Sequence, residues 1–260
     1  MTDPTARELR ATNGQVVPLN GLELYFETSG SGRALILLHG GLQTIDLTFG
    51  PLIASLAQRH LVIGVELQGH GHSTDREGPM RLADLADDVV ALLDHLAVER
   101  ADVFGFSLGG LVALTLGLEH PERIDKLVVA SVDHQPGHEE FEHPEDPDMA
   151  RRLPTQADFE AMRTHYQNVA PDPSRFDEIA TKTSTMVHGL SGWSDQELGS
   201  IEASTLLIVG DTDFVPLSHA VAMYEAMPHA QLAVLADTTH IGVTQRTNEM
   251  TALLDRFLSD

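Results

Sequence analysis

The stretch Gly105-Phe106-Ser107-Leu108-Gly109 sets a serine between two glycines, where an apolar run ends and a series of good helix formers begins. A serine at a strand-to-helix turn is held away from the backbone, beside the positive end of the helix dipole. A free hydroxyl is a weak nucleophile, so this placement points to base-assisted attack on an electrophile such as a carbonyl carbon. A tight structural turn would need small residues too. The choice between the two rests on whether a base, a carboxylate and a pair of N–H donors stand at matching places.

The chain has 14 histidines, and position selects among them. His240 directly follows the last strand-like run, in LAVLADTTHIGV, and so lies at that strand's C-terminal end. Ser107 also lies at a strand's C-terminal end, and in a parallel sheet those ends share one edge, where α/β proteins place their sites. An imidazole base needs an acceptor that fixes its tautomer and stabilises its cation. LLIVGDTDFVP offers Asp211 and Asp213 just past the preceding strand. Either could instead cap the next helix or close an Asx-turn. Asp213 is preferred because it stands farther beyond the strand end, and Asp133, after KLVVAS, is the reserve. Oxyanion donors are expected from the backbone of Gly41, in LLHGGLQ, and of Leu108, the residue after the serine.

The elements that must position these groups are legible as apolar runs. Strands are expected at 22–28, 34–39, 61–67, 101–107, 126–131, 206–211 and 231–237, most of those after residue 34 near-continuous, as strands buried on both faces are. Helical patterns at 49–59, 82–98, 108–121, 218–227 and 247–258 alternate with them, which predicts an α/β domain with a mostly parallel sheet. Asn-Gly pairs at 13–14 and 20–21 predict an antiparallel hairpin at the start. Residues 132–200 break the rhythm. They open with a Pro- and His-rich stretch and continue with helical patterns at about 155–168 and 174–189, which reads as a helical cap inserted after the sixth strand, the core being 1–131 and 201–260.

Composition narrows the function classes. A net charge of −23, with Lys126 and Lys182 the only lysines, repels polyanions, so neither nucleic acid nor an anionic membrane is expected as a partner. The absence of cysteine excludes disulfides, thiolate metal sites and cysteine nucleophiles. No apolar stretch resembles a signal peptide or a membrane span, so a cytoplasmic location is expected. His134, His138, Glu139 and His143 crowd into ten residues, but Pro136-Gly137 interrupts the helical spacing, and a solvated loop rather than a metal site is expected there.

Taken together, HGG at 39–41, GFSLGG at 105–110, GDTD at 210–213 and TTH at 238–240 resemble the oxyanion loop, nucleophile elbow, acid loop and terminal histidine of the α/β-hydrolase fold family. QGHGHS at 68–73 resembles a structural turn of that family, with Glu66 where relatives commonly carry aspartate; Thr239 stands where many have glycine. The resemblance covers nearly the whole chain. It implies a mostly parallel sheet flanked by helices and a serine hydrolase with a Ser107–His240–Asp213 triad, needing no metal or organic cofactor. A serine nucleophile argues against the haloalkane dehalogenase and epoxide hydrolase branches, which use aspartate. A carboxylesterase acting on a small to medium, mainly apolar ester is expected. Lactonases, carbon–carbon bond hydrolases, aminopeptidases, acyltransferases and small-molecule receptors share the same machinery. Leu42, Phe141, Met162, Tyr166, Met186 and Trp193 are the residues expected to contact substrate.

Overall fold

A computed structural model of the chain describes residues 13–135 and 150–259. Eight strands form one sheet: β1 (Asn13–Leu19), β2 (Leu22–Gly30), β3 (Arg33–Leu38), β4 (His60–Glu66), β5 (Ala101–Phe106), β6 (Ile124–Ala130), β7 (Ser204–Gly210) and β8 (Ala230–Leu235). Their order across the sheet is β1-β2-β4-β3-β5-β6-β7-β8. β2 runs antiparallel to both neighbours and every other pairing is parallel. The first hairpin turns at Asn20-Gly21, both in the left-handed region, with Leu19 paired to Leu22. The other Asn-Gly pair is not a turn: Asn13 and Gly14 lie within β1, paired with Thr28 and Glu27.

Helices cover both faces. α1 (Ile45–Leu56) and α9 (Thr247–Leu258) lie on one side of the sheet, burying Phe49, Leu52 and Leu254 against Phe104 and Leu206. α2 (Leu82–His95) and α3 (Leu108–Glu119) pack on the other, where the larger core gathers Leu85, Val89, Val112 and Leu116 with Val103 and Leu127. α3 is apolar almost all round and buries ten of its twelve residues, as expected of a helix enclosed in a core. α1 begins four residues before the predicted start at Phe49. Thr44 caps it by accepting the Leu47 N–H at 3.4 Å, which places Pro51 inside the helix. Proline denies the Leu47 carbonyl its usual N–H, and the Gln245 side-chain amide supplies a replacement at 3.2 Å.

Between β6 and β7 the described residues form helices and no strand: α4 (Gln156–Val169), α5 (Phe176–His188) and the short α6 (Asp195–Leu198). Reciprocal capping boxes, Thr155 with Asp158 and Ser194 with Glu197, start α4 and α6. This segment has a small core of its own, Met162, Tyr166, Phe176 and Ile179. It is fastened to the sheet domain at Asp75, a buried carboxylate reached by Arg175 at 2.7 Å and Lys182 at 2.6 Å. α7 (Leu217–Ala226) and α8 (Gly242–Gln245) complete the chain. No helix among the described residues is long and apolar enough to cross a membrane.

Candidate active site

Ser107 is the hinge between β5 and α3, and its backbone is strained into φ 52°, ψ −116°. Two glycines make that turn possible. A Cβ on Gly105 would lie 2.1 Å from the Gly109 carbonyl oxygen, and one on Gly109 would lie 2.0 Å from that of Leu38. Backbone contact this close admits no side chain, so the elbow's composition follows from packing. The turn is then pinned: Ser107 N–H donates to the Ala130 carbonyl at 2.9 Å, and Gly109 N–H donates to the His39 carbonyl at 3.0 Å. A residue held at positive φ by its surroundings is where an exposed functional side chain is expected.

The loop after β8 brings His240 to that hydroxyl. His240 Nε2 lies 3.0 Å from Ser107 Oγ, and Nδ1 lies 2.8 Å from Asp213 Oδ1. Both His240 and Asp213 are buried. Burial alone would raise the Asp213 carboxyl, but the adjacent His240 outweighs it, with help from the Ser131 hydroxyl and the Val215 N–H, and the pKa is lowered. The Val215 bond is 3.0 Å; Ser131 Oγ and Asp213 Oδ2 are both buried without a partner of good hydrogen-bond geometry. Phe214 stacks on the His240 ring at 4.0 Å between centroids, and Phe106 flanks it at 4.9 Å. Both rings pack against the imidazole. An imidazole between a carboxylate and a hydroxyl can take the hydroxyl's proton while the carboxylate balances the charge.

The glycine loop after β3 approaches from the other side. Gly41 faces Leu108 closely enough that an added Cβ would lie 3.9 Å from the Leu108 Cβ. Leu42 adopts φ 59°, and the Gln43 N–H closes the turn on the Gly40 carbonyl at 3.2 Å. Leu108 begins α3, and a helix's first N–H has no acceptor within its own helix. The base of the loop is His39, fully buried, whose pKa is pushed down to about 3, chiefly by burial and then by His70. It stays neutral, which lets Nε2 accept the Leu67 N–H at 3.0 Å while Nδ1 contacts the Gly40 carbonyl at 2.8 Å.

Comparison with known proteins agrees with this geometry. The profile describing the alpha/beta hydrolase fold matches residues 33–176. The chain belongs to that family. It is 29% identical over 246 residues to a protein of a Caulobacter species named "Putative carbamate hydrolase RutD", spanning 81% of this chain and 86% of that one. A shorter alignment, 38% identical over 109 residues, joins it to 3-oxoadipate enol-lactonase 2 of Acinetobacter baylyi, covering 42% of this chain and 41% of that one. Among solved structures, the 2-hydroxy-6-oxo-6-phenylhexa-2,4-dienoate hydrolase of a Rhodococcus species superimposes with TM-score 0.79 at 22% identity, over 96% of this chain and 99% of that one. At that identity the likeness concerns the fold.

Of the two carboxylates in the acid loop, Asp213 is the one on His240, whereas Asp211 accepts the Thr238 N–H at 3.2 Å and braces the loop. Asp133 has other partners: its Oδ1 lies 2.5 Å from His219 Nδ1 and accepts the Gln135 N–H at 2.7 Å. Glu66 is buried and accepts the His72 N–H at 2.6 Å, a structural turn.

A cavity of about 390 Å³ opens over Ser107, and its wall includes His240, Gly41 and Leu108. Leu42 and Met162 line it. Tyr166, Met186 and Trp193 do not. Tyr166 is turned into the small helical core, with its ring against Phe176, and Met186 joins the main core beneath α5. Trp193 packs against that main core and borders a different cavity, beside Leu82 and Thr115. Phe141 lies outside the described residues. The other three side chains pack in or against cores. The wall is instead made by Phe159, Phe214, and the smaller Ala180, Thr183, Ser184 and Val187 of α5. Those last four recur at i, i+3, i+4, i+7, the spacing of a helix face, and that periodicity was the available signal.

Proposed function

We propose that the protein is a serine-dependent hydrolase acting through an acyl-enzyme on an uncharged ester, lactone or carbamate of small to medium size. The observation that carries this reading is the continuous chain from Asp213 through His240 to Ser107, ending in the cavity. Ser107 Oγ attacks the substrate carbonyl as His240 Nε2 takes its proton. Asp213 holds the imidazole in the tautomer with Nδ1 protonated and balances the imidazolium. The N–H groups of Gly41 and Leu108 bind the oxyanion, and this electrostatic help is typically the largest single contribution in such reactions. His240 then protonates the leaving group. Water, deprotonated by the same imidazole, releases the acyl group from Ser107. The helices between β6 and β7 serve as a cap that covers the cavity and selects substrate.

The charge of the cavity supports an uncharged substrate. Its described lining contains no arginine or lysine, and its ionisable groups are Asp133, His188 and His240. A substrate carboxylate, such as the dienoate in the Rhodococcus hydrolase's name, would enter without a cation to meet it, from a surface carrying net charge −23. The carbamate named for the Caulobacter relative and the ester first expected are both compatible with that lining.

The test is turnover of p-nitrophenyl esters of increasing acyl length by wild type and Ser107→Ala. Multiple turnover lost by roughly 10⁴-fold or more in Ser107→Ala is expected. Undiminished hydrolysis in that variant would overturn the reading. A single burst without further turnover would favour a receptor of the same fold.

A further inference from the structure

A second group of polar side chains stands beside the cavity without taking part in the chemistry above. The chain leaving β6 carries Asp133 and His134, and the first turn of α7 carries His219. Their side chains converge. One nitrogen or oxygen from each lies within 4.8 Å of the others. His219 Nδ1 is 2.5 Å and His134 Nδ1 3.9 Å from Asp133 Oδ1, and the two rings lie 5.4 Å apart at 52°. His134 is only 5% exposed, yet its Nδ1 meets no hydrogen-bond partner. A buried ring nitrogen in that condition is costly unless something engages it.

We propose that Asp133, His134 and His219 form a binding site for a divalent transition-metal ion, zinc being the ion this donor set fits best. Two imidazoles and one carboxylate suit zinc, whereas calcium and magnesium take oxygen ligands in larger number. Around a tetrahedral ion with ligands at about 2.0–2.2 Å, the donors stand roughly 3.3–3.5 Å apart. The 2.5 Å contact must open and the 3.9 Å one close by less than about 1 Å each, a matter of side-chain rotation. Three protein ligands leave a fourth position for water.

The site's position gives it a task. The His134 carbonyl accepts the Trp193 N–H at 2.9 Å, so the chain entering the helical segment and the chain near its end already meet at this residue. His219 belongs to the helix that follows the acid loop. An ion here would clamp the entry of the helical segment to the sheet domain and fix Asp133 in the cavity wall. The partner of His134 in this reading is His219, far off in sequence, and not the neighbouring histidines of the loop.

The experiment uses the untagged full chain, freed of metal with a chelator and titrated with zinc chloride in a calorimeter, alongside thermal unfolding. The expected result is one saturable zinc per chain and a raised Tm. His134→Gln and His219→Gln should each weaken binding by about tenfold or more and abolish the Tm rise. His240→Ala should bind as wild type does, separating this site from the triad. Far-UV circular dichroism of the metal-free variants must be native. If His134→Gln does not fold, His219→Ala, at a more exposed position, tests the same point. Absence of saturable binding, or binding unchanged in the His219 variant, would overturn the proposal.

Discussion

The sheet edge that carries Ser107 and the helical segment above it are built on different principles. At the edge, backbone packs on backbone: Gly105 against Gly109, Gly109 against Leu38, with the serine forced into positive φ between them. In the helical segment, side chains do the fastening, through a four-residue apolar core and two cations on Asp75. Backbone contacts of that kind tolerate almost no substitution and therefore leave a mark in the sequence. Side-chain contacts can be satisfied in many ways. The lesson is that the chemistry is written in small residues, and specificity in whichever residues happen to face inward.

The sharpest way to test this contrast is at the acid. Asp213→Asn should lower ester turnover by about 10⁴-fold with the fold intact, because His240 loses the acceptor that sets its tautomer. Asp133→Asn should change it by no more than a few-fold, since Asp133 pairs with His219. Steady-state kinetics on both variants decides; similar losses would mean that the roles are shared. Next in size, Gly109→Ala should cost about 3 kcal/mol or more of stability or prevent folding, as its Cβ would meet the Leu38 carbonyl at 2.0 Å. Chemical denaturation measures it, and a stable, active Gly109→Ala would break the steric account of the elbow.

Acid should loosen the sheet edge specifically. His39 has a pKa of about 3 when folded against an ordinary 6.5, and burial depresses His70 as well. The unfolded chain therefore binds more protons below pH 6.5. Stability is full above that pH and falls as pH drops towards 3, by about 1.4 kcal/mol per pH unit for His39, with His70 acting in the same direction. Denaturation midpoints across pH 7 to 4 check this, and His39→Gln should flatten the slope. The smallest effects belong to specificity. Ala180→Leu narrows the cavity and should shift the acyl-length optimum downward, with about tenfold lower kcat/KM for long chains. Tyr166→Phe and Trp193→Phe, outside the cavity wall, should leave that profile within about twofold.

Much of the site was legible before the fold. GFSLG, HGG and TTH each stand at a strand end, and a parallel sheet brings those ends to one edge. The acid loop offered two aspartates, of which Asp213 was preferred for standing farther past the strand, and the Thr238 N–H that engages Asp211 is visible only in three dimensions. Phe214, stacked on His240, was overlooked because nothing in its neighbourhood along the chain says that a ring will lie across that of a distant histidine. The early start of α1 was hidden by Pro51, whose vacant carbonyl partner is supplied by Gln245 from near the other end of the chain.

The sequence by itself therefore determined the α/β architecture and which serine and histidine stand at the shared sheet edge, because periodic burial and close backbone approach restrict residue type along the strands and at the elbow. Only the tertiary structure decided what Asp211 engages instead, which face of α5 lines the cavity, and that Asp133 turns towards His219. Those outcomes depend on angles between elements far apart in the chain, and no local pattern of residue types encodes such an angle.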